Sequence, residues 1–183
     1  MRISDITLIG WLHTITILVA LIAGAINLVS DKGTAQHKLV GQTYFWSMIA
    51  SNLSAFAIYR FDIARYEPFT AGPHVFGVFH WLAVSSLILV ILGRYAASRQ
   101  ERAVWAYLHP VAMILSYYLI IGGLINEAFV RLDVPRAIAI KSAGGVTLRV
   151  DAPIIQMTRG WAVAATLLLL IYFVAKTASY RRG

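Results

Sequence analysis

Four histidines stand within or at the start of long apolar segments, and they are the residues of this sequence best suited to chemistry. His13, His80 and His109 interrupt apolar stretches, and His37 opens a further one. A polar side chain is costly in hydrocarbon, so such residues usually face the interior of a helix bundle and mark a functional site. Imidazole nitrogens carry protons, bind metal ions and ligate haem iron. One histidine in each of four successive helices is the feature that a functional interpretation has to explain.

The composition predicts that these histidines lie in a membrane. Of the 183 residues, 59% are hydrophobic and 13% are charged, whereas a soluble domain has about a quarter charged residues. Apolar runs of about 20 residues recur, which is the length that a helix needs to cross a hydrocarbon core of about 30 Å. We therefore predict an all-α integral membrane bundle, a single domain over residues 1–183, with the lipid bilayer as its surroundings.

Five transmembrane helices and one β-hairpin are expected along the chain. Hydropathy and turn residues predict helices at about 6–29, 37–59, 74–95, 103–129 and 154–176. Two β-prone runs about a Gly144-Gly145 turn predict a hairpin at about 137–150, outside the membrane and between helices four and five. Helix five has no histidine, and we expect it to be peripheral to any site.

The charged residues and the missing cysteines narrow the function further. The net charge is +8, but the basic residues cluster between apolar segments, which favours a topological role at the membrane over nucleic-acid binding. They are packed most densely in the short loops that follow helices one and three, which predicts an outside N-terminus and a cytoplasmic C-terminus. The absence of cysteine excludes disulfides, iron–sulfur clusters and thiolate ligation.

This orientation sorts the histidines by depth. Helices one and three run in the same direction, and His13 and His80 are expected about 10 Å below the outer boundary. His37 and His109 are expected in the inner half. Alternate helices of a four-helix bundle face each other across its diagonals, which pairs His13 with His80 and His37 with His109. Two imidazoles at equal depth suit the two axial positions of haem b.

Other chemistries stay open for the same residues. Each histidine could be structural, with its ring bonded to a neighbouring carbonyl. A zinc or copper site would bring three or four histidines to one depth. A proton relay would need membrane-embedded acids as well, for which Glu127 near a helix end is the one candidate. A non-enzymatic membrane module, structural or an accessory subunit of a larger complex, is the alternative to electron transfer, and the colour of the purified protein would separate the two.

Several local motifs together resemble a bacterial family of multi-pass membrane proteins of unknown function. The resemblance covers about Leu8 to Arg131 and implies a bacterial inner-membrane location, but it names no activity. It rests on the following residues: Lys32-Gly-Thr-Ala-Gln-His37, Gly41, Tyr44, Met48, Phe79-His-Trp-Leu-Ala83, Ser86-Leu87, His109, Met113, Ser116-Tyr117, Glu127 and Arg131.

The layout of the histidines is also similar to that of the transmembrane diheme cytochromes b, which pass electrons from ascorbate or quinol across membranes. This resemblance implies His13 with His80, and His37 with His109, as axial ligands of one or two haems b. It further implies an oxidoreductase role between a quinol or small reductant and an acceptor, with quinone and other membrane subunits as partners.

Glu127 and Arg131 lie one turn apart at the expected outer end of helix four. A quinol releases protons when it is oxidised, so Glu127 is the candidate proton acceptor. Arg131 would bind an anionic reductant instead. A pair that only anchors the helix end would contribute little to stability.

Overall fold

The computed structural model describes residues 7–58, 78–99, 102–131, 139–142, 145–148 and 153–180. Within these ranges the chain is helical apart from two short strands and short turns between helices, which confirms the helical architecture expected from hydropathy. The elements are α1 (Leu8–Val29), α2 (Ala35–Ile58), α3 (Val78–Ala97), α4 (Ala103–Arg131), β1 (Ala139–Ser142), β2 (Gly145–Leu148) and α5 (Pro153–Tyr180).

The helix ends differ from the predicted bounds by up to a turn. The described part of α3 continues to Ala97, α4 continues to Arg131, and α5 continues to Tyr180. Each of these three extensions runs past the last strongly apolar residue, because the hydrogen bonds of a helix do not stop where hydropathy falls. The predicted first residues of helix three, 74–77, lie outside the described residues.

The first four helices form a ring in chain order. Helix α1 packs on α2, α2 on α3, α3 on α4 and α4 on α1, and α5 packs on the outside of α4. The turn between α1 and α2 is short and passes through Gly33 at a φ of 80°, a left-handed conformation that glycine adopts without steric penalty. The ring leaves α1 opposite α3 and α2 opposite α4.

Four of the described helices have the length and hydropathy of membrane spans, namely Leu8–Val29, His80–Ala97, Ala103–Ile125 and Met157–Ser179. Helix α2 is long enough but too polar to be counted with them. Its polar side chains include Tyr44, Ser51 and Ser54, which are buried inside the bundle. Four of the five expected spans are therefore shown. Helix α2 is not among them because it carries polar side chains on the face that is turned towards the bundle interior.

The outer faces of α1 and α5 are apolar and exposed. Ile22 and Leu8 on α1, and Trp161 and Leu168 on α5, are among the most exposed large side chains. Such a surface would be costly in water, but lipid tails are as apolar as these side chains. The exposed faces are therefore the surface that a bilayer would cover.

A packed layer fills the middle of the ring. Its buried residues are Ala20 and Ala23 on α1, Tyr44 and Met48 on α2, Val90 on α3 and Ile120 on α4. Ser116 is fully buried beside them, and its hydroxyl donates to the Met113 carbonyl at 2.8 Å. Because that hydrogen is used, the Tyr44 hydroxyl is the donor in its 2.8 Å bond to Ser116 Oγ.

The two strands pair antiparallel between α4 and α5. Ala139 lies opposite Leu148, and Ser142 lies opposite Gly145. Gly145, expected in the turn with Gly144, is instead the first residue of β2, and residues 143 and 144 lie outside the described residues.

Removal of the Ser116 hydroxyl is expected to destabilise the core layer more than removal of the Tyr44 hydroxyl. Ser116→Ala leaves a buried Tyr44 hydroxyl without an acceptor, which costs about 1–3 kcal/mol. Tyr44→Phe costs less, since Ser116 keeps its bond to the Met113 carbonyl. Unfolding in mixed micelles, followed by circular dichroism, measures both. The double variant leaves neither hydroxyl buried without a partner and should be more stable than Ser116→Ala alone. Equal stability of the two single variants would contradict this account.

Candidate functional site

His37 in the first turn of α2 and His109 in the second turn of α4 are neighbours across the α2–α4 diagonal. Their ring centres are 6.5 Å apart, and the ring planes are inclined at 88°. An imidazole nitrogen lies about 1.1 Å from its ring centre and binds a metal ion at about 2.0 Å, so two rings on opposite sides of one ion have centres about 6.2 Å apart. The His37–His109 pair therefore has the ring spacing of two ligands that share one metal ion.

The His109 ring is held by a backbone carbonyl of α3. Its Nδ1 lies 2.8 Å from the Gly93 carbonyl oxygen. A carbonyl only accepts hydrogen bonds, so the ring proton is on Nδ1 and the lone pair of the neutral ring is on Nε2. Metal-binding histidines are commonly oriented in this way, by a hydrogen bond from the nitrogen that does not bind the metal.

Gly93 makes this hydrogen bond possible because it lets α3 and α4 come close together. A Cβ atom at this position would lie 2.6 Å from Met113 Sδ and 3.0 Å from Met113 Cγ. A larger residue would have to displace the Met113 side chain or move α4, which also carries His109, away from the carbonyl.

His13 is oriented in the same manner by α2. Its Nδ1 lies 3.0 Å from the Ser51 carbonyl oxygen and 3.1 Å from Ser54 Oγ. The Ser54 hydroxyl donates its own hydrogen to the Ser51 carbonyl at 2.8 Å, so it faces the imidazole as an acceptor. The proton of His13 is again on Nδ1, and Nε2 carries the lone pair.

His80 is buried in the bundle, with an exposed fraction of 3%. Its ring lies 5.7 Å from the Phe56 ring at an interplanar angle of 43°. His80 thus contacts the same stretch of α2, from Ser51 to Phe56, that holds His13. The structure brings the two residues to one level of the bundle.

The histidines occupy two levels separated by the packed layer. Along α2, Ser51 follows His37 by 14 positions, and along α3, Gly93 follows His80 by 13 positions. At 1.5 Å per residue, both helices give a separation of about 20 Å. Among the described side chains, no group of three or more His, Cys, Asp or Glu could hold a metal ion.

Lys32 lies at the same end of the bundle as the His37–His109 pair, and the sequence did not indicate its role. Its Nζ donates to the carbonyls of Asn27 and Leu28 at the end of α1 and lies 4.8 Å from the centre of the Phe173 ring on α5. Burial, and then the charge of Lys176, lowers the pKa of Lys32. Helix α5, expected to be peripheral to any site, therefore borders this end of the bundle.

Glu127 and Arg131 lie within the final turns of α4. Their side chains, and all of the fifth histidine, His74, lie outside the described residues. The proposed proton acceptor and anion ligand stay predictions, which the kinetics of reduction of a Glu127→Gln variant by a quinol analogue would test.

Most of the chain matches a known protein family. Residues 10–170 match a family described as predicted membrane protein, DUF2306. This stretch includes His13, His37, His80 and His109. No curated protein and no solved structure matches the chain.

Gly93→Ala is expected to destabilise the protein by about 1–3 kcal/mol, because the added methyl group overpacks the α3–α4 contact at Met113. Gly122→Ala is the matched control, since a Cβ at Gly122 meets nothing within 4 Å and alanine favours the helix. Thermal unfolding in detergent measures both. The Met113→Ala variant should tolerate Gly93→Ala better than the wild type does, and an equal loss in both backgrounds would contradict the proposed clash.

Proposed function

We propose that this chain, which belongs to the DUF2306 family of membrane proteins, binds haem b between paired histidines and passes electrons across the membrane. The observation that carries the proposal is the His37–His109 pair, with ring centres 6.5 Å apart and planes at 88°. Haem iron with two axial imidazoles needs two ligands on opposite sides of the macrocycle. The His37–His109 pair supplies two imidazoles, and their ring centres have about the spacing of two ligands on opposite sides of one ion.

The donor atoms fit haem iron. Hydrogen bonds to the carbonyls of Gly93 and Ser51 place the protons of His109 and His13 on Nδ1, which leaves Nε2 of each ring as a neutral nitrogen donor. Such bonds also raise the basicity of the imidazole and fix its direction. Residues at the second level, His13 and His80, are proposed as the axial pair of a second haem.

Haem, when bound, supplies reversible one-electron chemistry at its iron. The protein orients the axial imidazoles, and the packed layer around Tyr44 and Met48 keeps water out of the space between the levels. Two levels about 20 Å apart put one redox centre towards each face of a membrane with a hydrocarbon core of about 30 Å. Electrons from a quinol or small reductant on one side could then reach an acceptor on the other, which is an oxidoreductase activity.

The proposed setting is a bacterial inner membrane that α2 also crosses, with the β1–β2 hairpin outside the bilayer. Lys32 and Arg94 stand at the bundle end that holds the His37–His109 pair. Cytoplasmic loops are enriched in such residues, which supports an inner position for this pair and an N-terminus on the outer side.

The orientation can be tested with cysteines, because the chain has none of its own. A cysteine in place of Gly183 should react with a membrane-impermeant maleimide only after the cells are lysed. Ser4→Cys is the matched control and should react in intact cells. Labelling of the C-terminal cysteine in intact cells would reverse the proposed orientation.

The purified protein is expected to show the reduced-minus-oxidised spectrum of low-spin, six-coordinate haem b. His37→Ala and His109→Ala should remove one spectral component, and His13→Ala and His80→Ala should remove the other, because each haem loses an axial ligand. His74→Ala is the control and should leave both components in place.

Three results would change the proposal. A colourless preparation from haem-replete cells, with stoichiometric zinc or copper, would replace haem with a metal ion. Loss of the whole signal in every single variant would indicate one shared site. A normal spectrum for His37→Ala would reduce the protein to one haem.

A further inference from the structure

The Asn27 side chain, near the end of α1, lies against the first turn of α2. A backbone carbonyl only accepts and a backbone amide only donates, which fixes the orientation of the Asn27 amide. Its nitrogen donates to the His37 carbonyl at 3.2 Å, and its oxygen accepts from the Gly41 amide at 3.0 Å. His37 and Gly41 are four residues apart, so Asn27 contacts a carbonyl and an amide that stand in the i to i+4 relation of helical hydrogen bonding.

Gly41 permits this close contact. A Cβ at Gly41 would lie 3.2 Å from the side-chain amide atom of Asn27 that faces Gly41, which is the oxygen in this orientation, and this is tighter than an ordinary van der Waals contact. The backbone carbonyl of Asn27 also accepts a hydrogen bond, from Lys32 Nζ. The end of α1, the following turn and the first turn of α2 are thereby linked through one residue.

The backbone of His37 is held at both of its polar groups. The His37 amide donates to Thr34 Oγ1 at 3.1 Å, and its carbonyl accepts from Asn27. His13 and His109 are oriented differently, through hydrogen bonds of the ring nitrogen Nδ1. The direction of the His37 ring therefore depends on how firmly its peptide groups are held.

We propose that Asn27 is a positioning residue for His37. It fixes the turn of α2 that carries His37 and so sets the direction from which this imidazole faces His109. The role rests on the proposed haem site, and it assigns to α1 a part in the His37–His109 pair although α1 contributes no ligand to it.

The first test compares haem affinities. Asn27→Ala should weaken haem binding at the His37–His109 component about 10-fold, which is the lower end of the effect seen when a residue that orients a metal ligand is removed. The component that depends on His13 and His80 should keep its affinity. Asn52→Ala is the matched control, since Asn52 also joins helices, by donating to the Met48 carbonyl and to Ser86 Oγ. It should leave the His37–His109 component unchanged.

A double-mutant cycle tests the contact itself. Gly41→Ala should weaken the same haem component as Asn27→Ala, because its methyl group displaces the Asn27 amide. In the Asn27→Ala background, Gly41→Ala should have little further effect, since the group it displaces is gone. Additive effects of the two substitutions would show that they do not act through one contact and would overturn the proposal.

Hydrogen exchange gives a readout that does not need haem. Asn27→Ala should speed exchange of the Gly41 amide, and Asn52→Ala should not. Unchanged exchange, or unchanged haem affinity at the His37–His109 component, would overturn the positioning role while the haem function stands. Absence of haem from the wild-type protein would overturn the proposed function and this role together.

Discussion

An imidazole inside an apolar bundle needs an acceptor for its N–H, and in this protein a neighbouring helix supplies one from its backbone. The carbonyls of Gly93 and Ser51 accept from His109 and His13. A carbonyl oxygen has two lone pairs, so it can take this bond in addition to its helical one. The imidazole can reach the carbonyl only where two helices approach closely, and Gly93 and the small residues of the packed layer permit that approach. The polarity of the histidines thus constrains how far apart the neighbouring helices of the four-helix ring can lie.

Much of this arrangement could be predicted from the sequence, and the limits have physical causes. Long apolar runs predict helices because a chain in lipid must satisfy its own backbone, and antiparallel neighbours then fix which histidines share a level. The partner of a side chain is a different matter. Periodicity indicates the face on which Asn27 lies, but the bond to His37 depends on the rotation of two helices about their axes. Asn27 was visible as a polar residue in an apolar segment, which is the signal that could have singled it out.

Hydropathy was least informative for α2 and α5, for opposite reasons. Helix α2 holds its polar groups inside the bundle, where Asn52 and Ser54 bond to carbonyls of their own helix, so a mean over the helix understates how well it suits the interior. Helix α5 looks featureless, yet Phe173 is buried and lies beneath the Lys32 ammonium. That contact follows from the packing of α5 on α4, which joins residues far apart in the chain. Similarly, Gly145 was predicted to lie in the hairpin turn, but it is paired with Ser142 in the strands.

The ring consists of two helical hairpins, α1–α2 and α3–α4, each closed by a short connection. His13 and His37 belong to the first hairpin, and His80 and His109 belong to the second. Any ligand held by one histidine at each side of a level is consequently a cross-link between the hairpins. A ligand that binds only the assembled pair of hairpins stabilises that assembly, by a free energy that grows with the logarithm of the ligand concentration. The supply of the proposed haem would then govern how much of the protein is assembled in the cell, and its turnover by proteases, in addition to what the assembled protein does.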